Sequence, residues 1–405
     1  MPSADLEQRL LHAKRNARER VHIGINSTSP SSSNNMATSM ANSKAQTNVF
    51  TIDLLWTVIS RSIFHPFVTW LIPMCQRAAG WPKGHPHVLY AMIWAAIVSV
   101  VSLFFLIDQS LADGYPRDCD WEKEVIVVTG GSNGLGKLIV EMFAMRGNTV
   151  AVLDIQMPTE KEINDSDALN RDNVHWYKCD VSKFDEVKAV NEQIERDLGK
   201  VTVLINNAAI VHGLPILSLT ASQVAATLNV NLLGHFNTLQ TFLPSMLAAE
   251  NGGTIVTVAS VLGKLGAAQL ADYTASKAGL IALHASVAAE LRTTYADKGG
   301  KKVRHVLVNT GQLATDLFHG MQTPSSFFGP VVDPVIVAKE VVRYVDMGLD
   351  GEISFPLYAQ QIAWMDMLPP GLRLFARWMS GIDKSVAKMQ QRRVESTKET
   401  EKKSA

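Results

Sequence analysis

The sequence is poor in cysteine and carries no excess of charge of either sign. Lysine plus arginine number 38, as do aspartate plus glutamate, so the balance gives no indication of a basic surface for nucleic acid. Cys75, Cys119 and Cys179 lie far apart, which excludes a disulfide framework and any metal-ligand spacing. They suit a reducing compartment, and we interpret them as ordinary buried thiols. We therefore predict no metal and no nucleic-acid partner.

The first 49 residues contain too little apolar sequence to form a folded core. Residues 1–24 set leucines against several arginines, which fits either a basic amphipathic helix on an anionic membrane or a solvated tail. Residues 26–48 are rich in Ser, Asn and Thr and predict a disordered linker. Residues 1–49 are thus interpreted as a basic, disordered tail.

Long apolar stretches lie between residues 50 and 107. Residues 50–75 contain charges and prolines, which favours an interfacial or re-entrant segment over a straight span. Residues 88–107 are twenty residues without a charge, enough for a helix to cross the hydrocarbon core of a bilayer. Residues 50–107 are therefore predicted to associate with a membrane, with residues 88–107 as the anchor, alone or as one arm of a hairpin.

From residue 124 the pattern changes to alternating strands and helices. An apolar strand leads into a turn that contains Gly130, Gly134 and Gly136, and a helix and a second strand ending at Asp154 follow. This order forms the first unit of a doubly wound dinucleotide-binding sheet. Further apolar runs alternate with amphipathic helices, so we predict an α/β fold of the Rossmann type with a parallel sheet, as a single catalytic domain over residues 120–358.

The acid at the end of the second strand bears on the cofactor. A carboxylate at Asp154 can accept hydrogen bonds from ribose hydroxyls and repels a 2′-phosphate. Ser132 and Asn133 stand in the glycine turn, where an arginine would have favoured that phosphate. We predict NAD(H) as the cofactor in preference to NADP(H).

A second group of polar residues lies near the middle of the chain. Tyr273 precedes Lys277 by four residues, so both lie on one face of a helix. An ammonium beside a phenol favours the phenolate, although tyrosine otherwise has a pKa near ~10. Ser260, at the end of the preceding strand, could donate a hydrogen bond to the same substrate oxygen. The trio suits proton transfer at a carbonyl or carbinol, although the tyrosine–lysine spacing alone is common on exposed helices.

Several motifs occur together in one order. They are TGGSNGLG, Asp180-Val181, Asn206-Asn207-Ala208-Ala209, Asn231 followed by Gly234, Ser260, Tyr273 and Lys277. Over residues 124–357 the sequence resembles the short-chain dehydrogenase/reductase superfamily of the classical type. Residues 229–246, 252–263 and 356–379 are similar to the branch of membrane-associated retinol dehydrogenases and 17β-hydroxysteroid dehydrogenase 11.

The resemblance implies a role for each matching residue. Tyr273 would be the general acid and base, Lys277 would lower its pKa and hold the nicotinamide ribose, and Ser260 would orient the substrate oxygen. Asn231 would hold a relay water, and Thr315 would meet the carboxamide. The implied cofactor-binding residues are Gly130, Ser132, Asn133, Gly134, Leu135, Gly136, Asp154, Asp180, Val181, Asn207, Tyr273, Lys277 and Thr315.

These features predict a membrane-anchored NAD(P)-dependent oxidoreductase that interconverts an alcohol with a ketone or aldehyde. The expected substrate is hydrophobic: a retinoid, a sterol or a long-chain lipid alcohol. The alternative is a catalytically silent family member that acts as a membrane or lipid-droplet scaffold. The resemblance also implies a homodimer formed through the helix that carries Tyr273.

The C-terminal region is predicted to contain a hydrophobic helical extension over residues 359–391 and a disordered tail over 392–405. The sequence favours an extension packed as a lid on the catalytic domain over one that dips into a membrane interface, and both can hold at once. Lys402 and Lys403 resemble a dilysine retrieval signal, although lysine-rich tails are common. We expect a membrane location, at the endoplasmic reticulum or a lipid droplet, with a cytosolic catalytic domain.

Overall fold

The computed structural model describes residues 51–113, 116–164, 166–318 and 325–382. The predicted tails over residues 1–49 and 392–405, with Lys402 and Lys403, lie outside the described residues. The chain divides into two compact units. Among the described residues, one unit comprises residues 51–113 with Ser326–Phe328, and the other holds the remainder.

The first unit consists mainly of three helices. They are α1 (Ile52–Arg61), α2 (Pro66–Ala78) and α3 (Pro86–Asp113). The axes of α1 and α2 meet at 51°, as in a broken span or a re-entrant loop. Within α3, Pro86–Ser110 is long and apolar enough to cross a membrane. Side chains such as Phe104 and Leu106 are exposed along it, whereas the core helix of a soluble protein would bury them.

The second unit contains a seven-stranded parallel sheet. The strands are β1 (Val125–Thr129), β2 (Thr149–Asp154), β3 (Val174–Lys178), β4 (Val201–Asn206), β5 (Thr254–Val258), β6 (Arg304–Thr310) and β7 (Gly351–Phe355). Their order is β3-β2-β1-β4-β5-β6-β7, with every neighbouring pair parallel. The chain reverses its direction across the sheet between β1 and β4, the switch point at which doubly wound sheets bind ligands. The predicted fold class is confirmed.

The second unit also contains helices, several of which pack on the two faces of the sheet. They are α4 (Gly134–Met145), α5 (Glu160–Asn164), α6 (Phe184–Asp197), α7 (Ala221–Leu228), α8 (Gly234–Ala248), α9 (Leu262–Leu265), α10 (Ala271–Arg292), α11 (Pro334–Met347), α12 (Leu357–Gln361) and α13 (Pro370–Ser380). The helical stretch over residues 221–248 is not continuous. The structure interrupts it with a π-helical turn at Asn229–Leu233.

Successive residues of the central strand face opposite layers of the core. Ile126 and Val128 belong to the layer that contains α4 and α11, whereas Val125 and Val127 belong to the layer that contains α6 and α8. All four side chains are buried. Burial on both faces explains why the strands appear in the sequence as continuous apolar runs.

A buried ion pair fastens the start of the second unit to the sheet. The side chains of Arg117 and Glu124 are 1% and 4% exposed, and their charged groups are hydrogen-bonded. Arg117 also donates to the Asn251 carbonyl at 2.9 Å and to the Thr254 hydroxyl at 3.4 Å. The Thr202 hydroxyl donates to the second oxygen of Glu124. This cluster lies where the strands begin, and its arginine stands three residues upstream of the predicted domain boundary at residue 120.

The cysteines differ in their exposure. Cys179 is buried and Cys119 is partly buried, and burial raises the pKa of each thiol to about 12. Cys75 is exposed, so the interpretation of all three as buried thiols is wrong for that residue. The reason is its position on α2, whose apolar side chains are largely exposed.

Candidate active site

Two glycines shape the turn between β1 and α4. Gly130 has φ +65°, a conformation that other residues rarely adopt. A Cβ at Gly136 would overlap the Gly130 carbonyl oxygen and the Asn207 amide. Asn207 Nδ2 donates to the carbonyls of Thr129 at 3.2 Å and Gly130 at 3.0 Å. The turn ends at the N-terminus of α4, where backbone N–H groups favour a bound pyrophosphate.

The carboxylate of Asp154 braces this turn. Its Oδ2 accepts a hydrogen bond from the Ser132 backbone N–H at 3.0 Å, and its Oδ1 accepts one from Gln156 at 3.0 Å. The Ser132 hydroxyl donates to the Gln156 carbonyl at 2.6 Å. Asp154 therefore lies beside the glycine turn, as predicted, and each carboxylate oxygen retains a lone pair for a further donor.

Other predicted cofactor residues lie near the same edge of the sheet. The side chain of Leu135 is buried in the core, so only its backbone can face a cofactor. Asn133 is exposed at the N-cap of α4. Asp180 follows β3, and its carboxylate accepts hydrogen bonds from the Ser182 backbone at 3.0 Å and the Ser182 hydroxyl at 2.7 Å. Val181, next to it, is buried.

The loop after β6 connects the glycine turn to the predicted catalytic tyrosine. A Cβ at Gly134 would lie 3.5 Å from Cγ2 of Thr315, which places the threonine against the turn. Phe318 packs edge-on against Tyr273, with the ring centroids 5.6 Å apart. The loop after β6 therefore contacts both the glycine turn and Tyr273.

Helix α10 places Tyr273 and Lys277 one turn apart. Lys277 Nζ lies 5.7 Å from the Tyr273 ring centroid and donates to the Val258 carbonyl, at the end of β5, at 2.8 Å. Tyr273 is hydrogen-bonded to Ser260, whose Oγ also accepts from the Leu262 backbone at 3.2 Å. The structure thus brings the predicted trio together, with all three side chains buried.

Burial opposes charge on both ionisable members of the trio. It raises the pKa of the Tyr273 phenol, whereas the hydrogen bond with Ser260 lowers it. Burial also lowers the pKa of Lys277 to about 7. A lone phenolate or a lone ammonium is therefore unfavourable here, and a phenolate beside an ammonium recovers part of the cost of desolvation.

Lys277→Met should stabilise the ligand-free protein. The pKa of Lys277 is about 7 in the folded state and 10.5 ordinarily, so the unfolded chain binds more protons between these pH values. Wild-type stability should therefore rise with pH across that window, and the variant should be more stable by about 4 kcal/mol at pH 7, with the gap closing toward pH 10.5. Denaturant midpoints from pH 7 upward measure this. The exposed Lys188→Met is the control, and a gap that does not change with pH would contradict the prediction.

The Asn231 side chain holds two elements of the site together. Its Oδ1 accepts from the Ile210 backbone at 2.8 Å, and its Nδ2 donates to the Ile210 carbonyl at 2.9 Å and to Ser276 Oγ at 3.2 Å. Asn231 is fully buried within the π-helical turn and ties the loop after β4 to α10. The relay water predicted at Asn231 stays a prediction.

Sequence reasoning missed a polar network next to Tyr273. The preceding residue, Asp272, is buried, and its Oδ2 accepts from the Thr227 hydroxyl at 2.7 Å. His212 Nδ1 lies 3.3 Å from the same oxygen and 3.0 Å from Thr227 Oγ1. The network joins the loop after β4 to the first turn of α10. The acid directly before Tyr273 could have indicated a polar network from the sequence. Its histidine partner could not be identified in this way, because His212 is 60 residues away in the chain.

Apolar side chains surround the Tyr273 ring. The buried members of this cluster are Val261, Leu262, Leu270, Tyr273, Phe318 and Ala359, with Val211, Leu317 and Tyr358 partly buried against them. In the described part of the chain, no three His, Cys, Asp or Glu side chains form a group that could hold a metal ion. The Tyr273 phenol therefore lies among apolar side chains, with the Ser260 hydroxyl as a polar neighbour.

Comparisons with known proteins identify the family. The family model for short chain dehydrogenase matches residues 124–325. The uncharacterized oxidoreductase YDL114W of Saccharomyces cerevisiae is 30% identical over 258 residues, which cover 64% of this chain and 82% of that protein. Retinol dehydrogenase 10-B of Danio rerio is 32% identical over 283 residues, covering 64% and 79%. A solved short chain dehydrogenase from Mycobacterium smegmatis is 25% identical, with a TM-score of 0.48 and coverage of 60% and 95%.

The chain belongs to the short-chain dehydrogenase/reductase family, with relatives among the retinol dehydrogenases. It is an oxidoreductase that acts on CH–OH groups, and its fold binds NAD(P). The residues fit that cofactor, because the glycine turn leads into the N-terminus of α4, whose backbone N–H groups favour a pyrophosphate, and Asp154 can accept further hydrogen bonds. The predicted family and enzyme class are confirmed.

Proposed function

We propose that this protein is a membrane-anchored dehydrogenase or reductase that interconverts an alcohol with its aldehyde or ketone on a hydrophobic substrate. The observation that carries the proposal is the buried trio of Ser260, Tyr273 and Lys277 within an apolar cluster. A silent scaffold is not favoured, because it has no need of a buried lysine held beside a buried tyrosine.

The trio divides the proton chemistry among its members. When bound, a dinucleotide would supply a hydride to the substrate carbon or accept one from it. Tyr273 gives its phenolic proton to the carbonyl oxygen in reduction and takes the proton of the alcohol in oxidation. Ser260 donates a hydrogen bond to the same oxygen, and Lys277 compensates the charge on the phenolate. Asp272, tied to Thr227 and His212, holds the first turn of α10 in place.

NAD(H) is the proposed cofactor in preference to NADP(H). Asp154 lies beside the glycine turn with lone pairs available to ribose hydroxyls, and its charge opposes a 2′-phosphate. The glycine turn and the N-terminus of α4 would hold the pyrophosphate. Thr315 lies against the turn and Asp180 follows β3, and their contacts with the cofactor stay predictions.

Asp154→Arg should shift the cofactor preference toward NADP(H). The change removes the ribose acceptor and supplies a cation for the 2′-phosphate. The ratio of kcat/KM for NAD to that for NADP should fall by at least about tenfold, equivalent to about 1.4 kcal/mol. The exposed Asp167→Arg, which makes the same charge change, should leave the ratio unaltered. Asp154→Ser provides a smaller change if the arginine variant does not fold, and an unchanged ratio in both would refute the assignment.

Membrane anchoring is proposed through α3. Its length, its apolar composition and its exposed side chains suit a bilayer span. The bent pair α1 and α2 suits a broken span or a re-entrant loop. The location at the endoplasmic reticulum or a lipid droplet, the cytosolic catalytic domain and the homodimer stay predictions.

The proposed substrate class is supported by the apolar cluster around Tyr273 and by a relative named retinol dehydrogenase 10-B. The test is turnover by the full chain in phosphatidylcholine vesicles, with NAD and a series of retinoid, sterol and long-chain alcohols. We expect kcat/KM to rise with the apolar surface of the alcohol, because more hydrocarbon is buried. Turnover restricted to short, polar alcohols would contradict the proposed substrate class.

A further inference from the structure

The C-terminal extension exposes a row of large apolar side chains. In α13, Leu372, Phe375 and Trp378 recur at intervals of three residues, so they share one side of the helix, and they are 56%, 56% and 72% exposed. Exposed apolar residues also precede the helix. We call the combined patch the C-terminal apolar surface: Trp364, Met367, Leu368, Leu372, Phe375 and Trp378.

The surface is more than a lid on the catalytic domain. The sequence favoured a packed lid, and one part of the extension does pack: Ala359 is fully buried in the cluster with Tyr273. The large apolar side chains of α13, in contrast, are exposed. So many large apolar side chains exposed within fifteen residues indicate an interaction site.

One arginine connects α13 to the catalytic region. Arg377 Nη1 donates to the Leu265 carbonyl at 2.9 Å, and Nη2 donates to the Gly266 carbonyl at 3.1 Å. Both carbonyls belong to the segment that joins Ser260 to Tyr273. The two bonds from one planar guanidinium fix the helix against this segment.

We propose that the C-terminal apolar surface inserts into the interface of a lipid membrane, and that Arg377 links this insertion to the segment between Ser260 and Tyr273. The proposal rests on the membrane anchoring proposed above. Trp364 and Trp378 provide the amphipathic rings that prefer a membrane interface.

The charge of the helix and the proposed anchor favour lipid as the occupant. Pro370–Ser380 contains two arginines, Arg373 and Arg377, and no acidic residue, which suits an anionic lipid surface. Helix α3 of the same chain is long and apolar enough to cross a membrane, so the proposed anchor supplies a lipid surface to this protein.

The test compares lipid contact and activity in the full chain reconstituted into vesicles. The vesicles contain phosphatidylcholine and phosphatidylserine, with or without bromine on the acyl chains, because bromine quenches tryptophan at short range. Trp378→Phe identifies the contribution of Trp378 to the quenching. We expect brominated lipid to quench that contribution.

The effect of the surface on activity is tested with a double variant that combines Phe375→Glu and Trp378→Glu. Its turnover of a vesicle-dissolved long-chain alcohol should fall by about tenfold or more, because two apolar groups leave the lipid. Turnover of a short, water-soluble alcohol should stay within about twofold. Phe184→Glu, which alters an exposed phenylalanine at the start of α6, is the control and should change neither.

Several outcomes would overturn the inference. They include an unquenched Trp378, and a double variant with unchanged turnover in vesicles. A third is a wild-type dimer that dissociates in the double variant, which would identify the surface as a contact between two copies of the chain. Flotation separates the two proposals: failure of the wild type to float with vesicles refutes the anchor, whereas flotation without quenching refutes only the inference.

Arg377 is tested as a positioning residue. Arg377→Lys keeps the charge but cannot bond both carbonyls in the same geometry. We expect kcat for the short alcohol to fall by about threefold to tenfold with KM little changed, since the segment between Ser260 and Tyr273 is less well held. Arg373→Lys makes the same change on the same helix and should leave kcat unaltered. Equal kcat in the two variants would refute the link.

Discussion

Tyr273→Phe should lower kcat for alcohol oxidation by about 10²–10⁴-fold, because the change removes the only atom of the ring that can transfer a proton. The protein should stay folded. Phenylalanine keeps the ring that packs against Phe318. The lost hydroxyl is bonded to Ser260, but Ser260 keeps another partner, because its hydroxyl also donates to the Thr310 carbonyl at 3.4 Å. Steady-state kinetics measure the loss, and binding of NADH confirms that the cofactor site is intact.

Tyr177→Phe is the matched control. The Tyr177 hydroxyl is bonded to Asp197 at 3.2 Å in an exposed pair on β3 and α6, so its loss should leave kcat unchanged. A Tyr273→Phe protein that retains kcat within about tenfold would remove Tyr273 from the proton transfer. A wild-type protein without turnover in the presence of bound NADH would instead favour the scaffold.

Arg117→Met should lower the free energy of unfolding by about 3–5 kcal/mol, because it leaves the buried carboxylate of Glu124 without its charged partner. The Thr202 hydroxyl still donates to Glu124 but carries no compensating charge. Denaturant midpoints of the full chain in detergent measure the effect. Activity at a temperature well below the transition should be preserved, because the pair lies where the strands begin and the site lies where they end.

Two further variants give this prediction its controls. Lys123→Met breaks the ion pair between Lys123 and Asp120, whose side chains are 84% and 43% exposed, and it should leave the midpoint unchanged. Arg117→Met combined with Glu124→Leu removes both charges and should recover most of the loss. A single variant as stable as the wild type would show that Glu124 does not depend on Arg117.

The sequence predicts most of the fold for a physical reason. A parallel sheet covered on both faces must use continuous apolar strands, and the run from Val125 to Thr129 shows that pattern directly. The glycines are equally informative, because Gly130 and Gly136 occupy places where a side chain would be strained or overlap its neighbours. The spacing of Tyr273 and Lys277 fixes their relation on one helix.

The features that the sequence missed depend on pairs that are distant in the chain. Nothing near His212 indicates that Asp272 will lie beside it, and Arg117 meets Asn251 and Thr254 only after the sheet has formed. The π-helical turn at Asn229–Leu233 arises where Asn231 bonds to Ile210 and Ser276. The exposure of α13 was ambiguous because apolar residues suit both a packed lid and a lipid contact.

The position of Arg117 bears on how a shortened, water-soluble form of the protein should be made. The match to the family model begins at residue 124, and a chain cut there would keep Glu124 but lose the guanidinium that neutralises it. Such a fragment would express poorly even with every catalytic residue present. A cut between Asp113 and Pro116 would remove the apolar helix and retain Arg117, whose backbone N–H also bonds to the Gly348 carbonyl at 2.8 Å. Residues 117–123, the seven residues directly upstream of the family-model match, thus determine whether the catalytic domain can be produced alone.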